Sequence, residues 1–193
     1  MDINQQYYCD ELNRHYSARW GQQVGKHIWG RGPALPQPCW VYEYAPTDKT
    51  FSWVYATCGM TPFTESELLE LFILSPCQTE GHVELLTAIA HYHQTGARLG
   101  LGDTVNFGQP WLDKSRCSFG LISLPYPFGP VLENARIAEK VVRVLWLLPI
   151  TSEELAFKAA FGLRALEELF EKKQFNYLDP IRNPVVEASH AAI

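Results

Sequence analysis

The order of strand-like and helix-like segments most constrains what this chain can fold into. Segments rich in β-branched and aromatic residues lie in its first and middle parts, with helical patterns between and after them. Regular βαβ units are too few for a doubly wound parallel sheet. The order predicts an α+β fold with a mixed, largely antiparallel sheet flanked by helices. A length of 193 residues fits one compact domain over residues 1–193, because domains usually contain roughly 100–200 residues.

The strands are predicted from runs of β-branched and aromatic residues. Two such runs, Cys39–Tyr44 and Thr50–Thr57, lie close together and predict a hairpin. Shorter strands are expected at Thr104–Phe107 and Ser118–Leu124, and a longer apolar strand at Lys140–Leu148.

Helices are predicted where apolar residues recur every three to four positions. These segments are residues 2–20, 79–95, 151–161 and 163–173. The third begins at a capping box, in which Thr151 is followed three residues later by Glu154.

Residues 64–74 fit two structures equally well. Thr64 followed by Glu67 is a capping-box pattern and indicates a helix. The run Leu68–Leu74 is short, almost continuously apolar and ends before Ser75-Pro76, which is typical of a buried strand. The pattern alone leaves both structures open.

Charge and targeting signals exclude several classes of function. The formal net charge is -5 and no Lys/Arg-rich run occurs, whereas nucleic-acid binding needs clustered cations to neutralise phosphates. The N-terminal residues contain no apolar signal segment. The longest uncharged stretch, Cys117–Leu132, contains three prolines and is too short to span a bilayer. We therefore expect a cytoplasmic protein without a nucleic-acid or membrane partner.

The cysteine and histidine positions do not form a metal-ligand pattern. The five cysteines are scattered and no CxxC pair occurs, which predicts reduced thiols and no structural zinc site. His91 and His93 are two residues apart on a predicted helix, so their side chains point in different directions. The glycines of Gly96–Gly102 follow a helix and precede a strand, the reverse of a phosphate-binding loop. We expect no metal and no cofactor.

Cys58 is the strongest candidate for a catalytic nucleophile. It follows a predicted strand, but the segment Ala56–Gly59 lacks the first glycine of the G-x-S-x-G nucleophile elbow. A nucleophile also needs a base within hydrogen-bond distance, and the sequence indicates none. The prediction is a protein that is not an enzyme, with a Cys58-dependent hydrolase as the alternative.

Aromatic residues make up 13% of the chain. Most are expected in the core, and any that reach the surface could anchor a protein partner.

Several segments, taken in order, resemble the suppressor of fused domain family over about residues 40–185. They are Tyr55–Thr61, Glu70–Pro76, Ala90–Tyr92, Gly102–Val105 with Pro110, Val142–Glu154, Leu166–Leu169 and Leu178–Arg182. The chain departs from the family pattern at Thr61, at Leu145-Trp146 and at Pro149. The resemblance implies that Leu68–Leu74 is a strand.

The resemblance also implies a domain that binds protein and does not catalyse a reaction. Eukaryotic relatives clamp a peptide of Gli-type transcription factors between two domains, where it pairs with sheet edges as an added strand. Contacts in that cleft come from the tyrosine of the Ala90–Tyr92 segment and from the aspartate after Gly102. They correspond to Tyr92 and Asp103 here, which we predict as partner-binding residues.

Single-domain bacterial relatives are thought to include immunity proteins that neutralise polymorphic toxins. The length of this chain leads us to expect a bacterial single-domain member, whose partner is a protein or a peptide and in the immunity role a toxin. A structural or oligomer-forming domain without a dedicated ligand is a further alternative.

Overall fold

The structure, a computed structural model, describes residues 3–32 and 34–187. In chain order the elements are α1 (Ile3–Trp20), β1 (Gln23–His27), β2 (Trp40–Tyr44), β3 (Trp53–Cys58), β4 (Leu68–Ser75), α2 (Gly81–Thr95), β5 (Thr104–Asn106), β6 (Cys117–Ser123), α3 (Pro130–Glu133), β7 (Asn134–Ile137), β8 (Lys140–Thr151), α4 (Ser152–Phe161) and α5 (Leu163–Lys173). Within the described ranges, no helix is both long and apolar enough to cross a membrane.

The strands form one mixed sheet in the order β1-β2-β3-β4-β8-β6-β5, and β7 also pairs with β8. Adjacent strands from β1 to β4 are antiparallel, as are β5 with β6 and β7 with β8. β4 and β8 are parallel. The prediction of an α+β fold with a mixed, mostly antiparallel sheet is confirmed.

The chain divides into two compact units. The first unit contains the chain up to Leu101 together with Ser123–Leu147, and the second contains Gly102–Ile122 together with the chain from Leu148 onward. The chain of β8 continues from the first unit into the second. The assignment of residues 1–193 to a single domain stays a prediction.

The predicted hairpin is β2 with β3, in a register that pairs Trp40 with Cys58 and Tyr44 with Val54. The four predicted helices correspond to α1, α2, α4 and α5. Asp2, the first residue of the predicted helix over residues 2–20, lies outside the described residues. The helical alternative for residues 64–74 is wrong.

β4 is a strand because it is central in the sheet, between β3 and β8. All eight of its residues are buried. A strand that is covered on both faces has no polar face, so its sequence shows a continuous apolar run. The segment before it, which contains Thr64 and Glu67, has turns and bends and no helix.

Aromatic side chains form much of the core of the first unit. The indole of Trp20 on α1 is completely buried and contacts a ring cluster at centroid distances of 4.9–5.7 Å, made up of Tyr16, Tyr44, Phe72 and Phe128. Rings at these distances contribute contact energy beyond their buried area. Part of the high aromatic content therefore packs α1 against the sheet.

The second unit contains a buried ion pair. Arg182 Nη1 donates to Glu154 Oε1 at 2.6 Å, and Nη2 donates to Oε2 at 2.7 Å. The backbone N–H of Thr151 also donates to Glu154 Oε2, while the Glu154 N–H donates to the Thr151 hydroxyl in the predicted capping box. Val185 N–H donates to Glu154 Oε1. One carboxylate thus connects the start of α4 to the segment after α5.

We expect Arg182→Leu to lower the free energy of unfolding by about 3–5 kcal/mol, because it leaves the Glu154 carboxylate buried without its cation. Urea unfolding followed by tryptophan fluorescence measures this change. Arg164→Leu is the matched control, because its ion pair with Glu168 is exposed on α5 and pairs of that kind contribute less than about 1 kcal/mol. Equal unfolding midpoints for the two variants would contradict a structural role for the buried pair.

Candidate functional site

Tyr92 lies on the outer face of α2. The exposed residues of this helix recur at helical spacing, so they form one stripe: Gly81, Glu84, Ala88, Tyr92 and Thr95. Tyr92 is the one large aromatic residue of that stripe, and 49% of its surface is exposed. The opposite face, which includes Leu86 and Ile89, is buried.

The ring of Tyr92 lies close to the end of its helix. A Cβ atom placed on Gly96 would be 3.2 Å from both Cδ2 and Cε2 of the ring. The Gly96 N–H donates to the Tyr92 carbonyl at 2.7 Å. A glycine at this position therefore permits the ring to rest against the helix terminus, with its remaining surface in solvent.

Asp103 belongs to the second unit and directly precedes β5, an edge strand of the sheet. Its side chain is exposed, and its carbonyl accepts the Ile122 N–H at 2.9 Å. Gly102 has a φ of +87°, and a Cβ atom there would be 3.2 Å from Leu163 Cδ2. Glycine is required at Gly102 because other residues rarely adopt this backbone conformation. Tyr92 and Asp103 thus lie in different units, each on an exposed surface.

His93 is buried at the end of α2, and both of its ring nitrogens have polar partners, including Arg98 Nη1 at 3.4 Å from Nε2. The Leu99 N–H donates to Nδ1 at 3.0 Å, so the proton of the neutral ring lies on Nε2. Nε2 donates to the Thr61 hydroxyl at 2.9 Å, and that hydroxyl donates to the Leu69 carbonyl. His91 on the same helix is partly exposed. The expected difference in direction of the two histidines agrees with this difference in burial.

A cavity of about 260 Å³ lies beside His93, and Arg98 and Arg143 are among the residues that line it. Each arginine is already paired with a carboxylate, Arg98 with Glu65 at 2.9 Å and Arg143 with Glu133 at 2.7 Å. The cavity therefore presents balanced charge, and its arginines are engaged within the protein.

Cys58 lacks the accessibility that a nucleophile needs. Its side chain is completely buried at the end of β3, and burial raises the pKa of its thiol well above the usual value. The thiolate is the reactive form of cysteine, so this environment disfavours the hydrolase alternative. Among the residues that the structure describes, three or more potential ligands nowhere come together to hold a metal ion.

Comparison with known proteins identifies the family. A family model described as suppressor of fused protein matches residues 36–183. The chain belongs to the suppressor of fused protein family. A crystal structure of a suppressor of fused homologue from Neisseria gonorrhoeae is 33% identical, with a TM-score of 0.81, over 94% of this chain and 98% of that one.

Two more distant structures of the suppressor of fused family share the fold. A crystal structure of the Sufu–Fu complex is 14% identical with a TM-score of 0.69 and covers 92% of each chain. Drosophila Suppressor of Fused is 15% identical with a TM-score of 0.65, and this chain covers 50% of it. No curated protein matches the chain.

In this member of the suppressor of fused family, two of the resembling segments meet at a buried carboxylate in the first unit. Glu70 on β4 accepts the Tyr8 hydroxyl and the Thr57 hydroxyl, both at 2.6 Å. It also accepts the backbone N–H groups of Gly59 at 2.7 Å and Met60 at 3.1 Å. Burial raises the pKa of Glu70, and these four hydrogen bonds oppose that shift. The Glu70 network joins α1, β3, β4 and the turn after β3.

The sequence did not identify the Glu70 network. Tyr8 and Glu70 are separated by 62 residues, and the Glu70 side chain is hidden within an apolar run. One signal was present, because Glu70 is an acidic residue at a position that the strand pattern requires to be buried. A buried carboxylate needs several hydrogen-bond donors, so the position itself indicates a polar network.

Two buried histidines with lowered pKa values make the free energy of unfolding depend on pH. Burial lowers the pKa of His93 to about 4, with a further lowering by Arg98 that Glu65 opposes. Burial also lowers the pKa of His82 to about 4. An unfolded histidine has a pKa of about 6.5, so between about pH 6.5 and pH 4 the unfolded chain binds protons that the folded chain does not. Both histidines therefore make the free energy of unfolding decrease as the pH falls through this range.

Each buried histidine contributes on the order of 1 kcal/mol per pH unit to the slope of the free energy of unfolding against pH. We therefore expect His93→Gln to remove about half of the part of this slope that the two histidines contribute. Urea unfolding at intervals between pH 4.5 and pH 6.5 measures it. The control is His91→Gln, on the same helix but partly exposed. A slope for His93→Gln equal to that of the wild type would contradict the assigned role of His93.

Proposed function

We propose that this chain is a non-enzymatic, cytoplasmic protein that acts by binding another protein. Membership in the suppressor of fused family is the observation that carries this proposal. A structure with the same fold has been solved as the Sufu–Fu complex, so the fold is compatible with protein recognition. The burial of Cys58 supports a binding role over the alternative hydrolase.

We propose Tyr92 and Asp103 as contact residues for the partner. An exposed tyrosine supplies a large contact area at low entropic cost, because it has only two rotatable side-chain bonds. Tyr92 exposes about half of its surface on helix α2. Asp103 is exposed beside the edge strand β5, where an extended peptide could add to the sheet while a carboxylate binds a cationic side chain.

The partner that we favour is a basic bacterial toxin, which makes this chain an immunity protein. The net charge of -5 would speed association with a cationic protein, since complementary charge steers diffusional encounter. The relative from Neisseria gonorrhoeae supports a bacterial origin.

We expect Tyr92→Ala and Asp103→Ala each to weaken partner affinity by about tenfold or more, which corresponds to about 1.4 kcal/mol. The partner is first isolated by affinity purification and identified by mass spectrometry, and its affinity is then measured by calorimetry. The matched controls are Tyr7→Ala, since Tyr7 on α1 is 47% exposed, and Asp113→Ala, an exposed aspartate of the second unit.

Unchanged affinity for both site variants, with folding intact, would reject these two positions and keep the binding role. If the folded protein binds nothing in its own lysate, the binding role itself is contradicted, and self-association measured by light scattering would then favour the structural or oligomer-forming alternative.

The immunity role has a separate test. We expect expression of the isolated partner alone to arrest bacterial growth, and co-expression of this chain to restore it. The Tyr92→Ala and Asp103→Ala variants should restore growth less well than the Tyr7→Ala and Asp113→Ala controls. A partner that binds tightly and never slows growth would contradict the immunity role while the binding role stands.

A further inference from the structure

Two buried thiols of the first unit lie against each other. Cys9 on α1 and Cys58 at the end of β3 have their Sγ atoms 3.0 Å apart, and both cysteines are free. Their exposed fractions are 1% and 0%. Forty-nine residues of sequence separate them, so a bond between these sulfur atoms would close a long loop.

Cys9 has a route to small molecules from the surface. It lines a cavity of about 140 Å³ together with Tyr8, Trp40, Gly59 and Phe63. Gln37, Pro38 and Thr64 also line this cavity, and all three are exposed, so it reaches the surface. The cavity volume is several times the roughly 30 Å³ that one water molecule occupies in the liquid, so a small oxidant has room to enter. Cys58 is not among the lining residues.

The surroundings of Cys9 lower the pKa of its thiol. The S–H group of Cys58 donates to Cys9 Sγ and lowers the pKa of Cys9, and a hydrogen bond from Tyr42 and the charge of Lys26 lower it further. Burial and the charge of Glu70 act in the opposite direction without reversing the shift. Lys26 is held nearby, with Nζ 4.7 Å from the ring centroid of Trp40. For Cys58, burial acts in the opposite direction and raises the pKa. One thiol of the pair is thus suited to attack and the other to retain its proton.

We propose that Cys9 and Cys58 are an oxidisable dithiol that forms a disulfide on reaction with a hydroperoxide, with Cys9 as the attacking and Cys58 as the resolving sulfur. The Cys9 thiolate attacks the terminal hydroxyl oxygen of the hydroperoxide and the O–O bond breaks. The other oxygen leaves as an alkoxide, or as hydroxide when the oxidant is hydrogen peroxide, and Cys9 becomes a sulfenic acid. The Cys58 sulfur then attacks Cys9 Sγ, and the departing hydroxyl takes the Cys58 proton to form water. Two thiols are oxidised by two electrons in all, and the peroxide is reduced.

The test uses the full chain, fully reduced and then treated with hydrogen peroxide. We expect loss of two of the five thiols, a fall in intact mass of about 2 Da as two hydrogens leave, and one disulfide-linked peptide pair that contains Cys9 and Cys58. Dithiothreitol should reverse all three changes. The melting temperature of the oxidised form should be higher by about 5–15 °C, because the bond restricts the unfolded chain.

Three variants separate this reaction from general thiol oxidation. Cys58→Ser should accumulate a sulfenic acid at Cys9, detected as a dimedone adduct, and form no cross-link. Cys9→Ser should leave Cys58 unoxidised, because Cys58 does not line the cavity. Cys77→Ser should form the same cross-link as the wild type, since Cys77 is exposed and does not line the cavity beside Cys9. Peptide mapping of the wild type keeps the proposal testable even if a variant fails to fold.

Peroxide that oxidises Cys77 alone, or that adds oxygen to Cys9 and Cys58 without joining them, would overturn the proposal. So would a dimedone adduct that forms on Cys58 in the Cys9→Ser variant at the wild-type rate, because Cys58 would then need no partner to react.

Discussion

The first unit is organised around a single carboxylate that cannot reach water. Placing Glu70 in the middle of a fully buried strand costs several kcal/mol unless its oxygens are satisfied, and each oxygen accepts two hydrogen bonds. The donors come from a helix, a strand and a turn, so these elements must assemble in one arrangement. Gly59, one of the donors, has a φ of +92°, and a Cβ atom there would be 2.7 Å from the Pro38 carbonyl oxygen. The turn can therefore approach the carboxylate only with glycine at this position.

A comparable constraint operates within the second unit. Glu154 both caps α4 and binds Arg182 through two parallel hydrogen bonds. The guanidinium also donates to the Pro149 carbonyl and lies over the ring of Phe175. Glu70 and Glu154, with Gly59 and Arg182, belong to the segments that resemble the family. In this chain, several of the segments that resemble the family therefore contain buried polar groups and their hydrogen-bond donors.

Much of the fold could be predicted from the sequence, because hydrophobic periodicity and capping residues are local signals. The hairpin of β2 and β3, the capping box of α4 and the four longer helices were all recognised from such signals. β1 was missed because Gly25 and Lys26 interrupt its strand pattern, and its side chains are only half-buried in alternation. The last strand was predicted to end at Leu148 but continues to Thr151, where the cap of α4 begins. For the candidate site, the exposure of Tyr92 and Asp103 depends on tertiary packing, which the sequence does not show. No sequence pattern predicted that the sulfur atoms of Cys9 and Cys58 lie next to each other.

The parallel pairing of β4 with β8 has a consequence for biosynthesis. Residues Leu68–Phe72 pair with Val142–Trp146, so about seventy residues must emerge from the ribosome after β4 before its second neighbour exists. During that interval β4 is an apolar strand with one unpaired edge, the kind of surface on which nascent chains associate wrongly. The antiparallel strands β2, β3 and β4 and helix α2 can form early from local contacts. The sheet is completed only after β8 has been synthesised. Pairing with β8 then covers the open edge of β4 and protects the early part of the chain from aggregation.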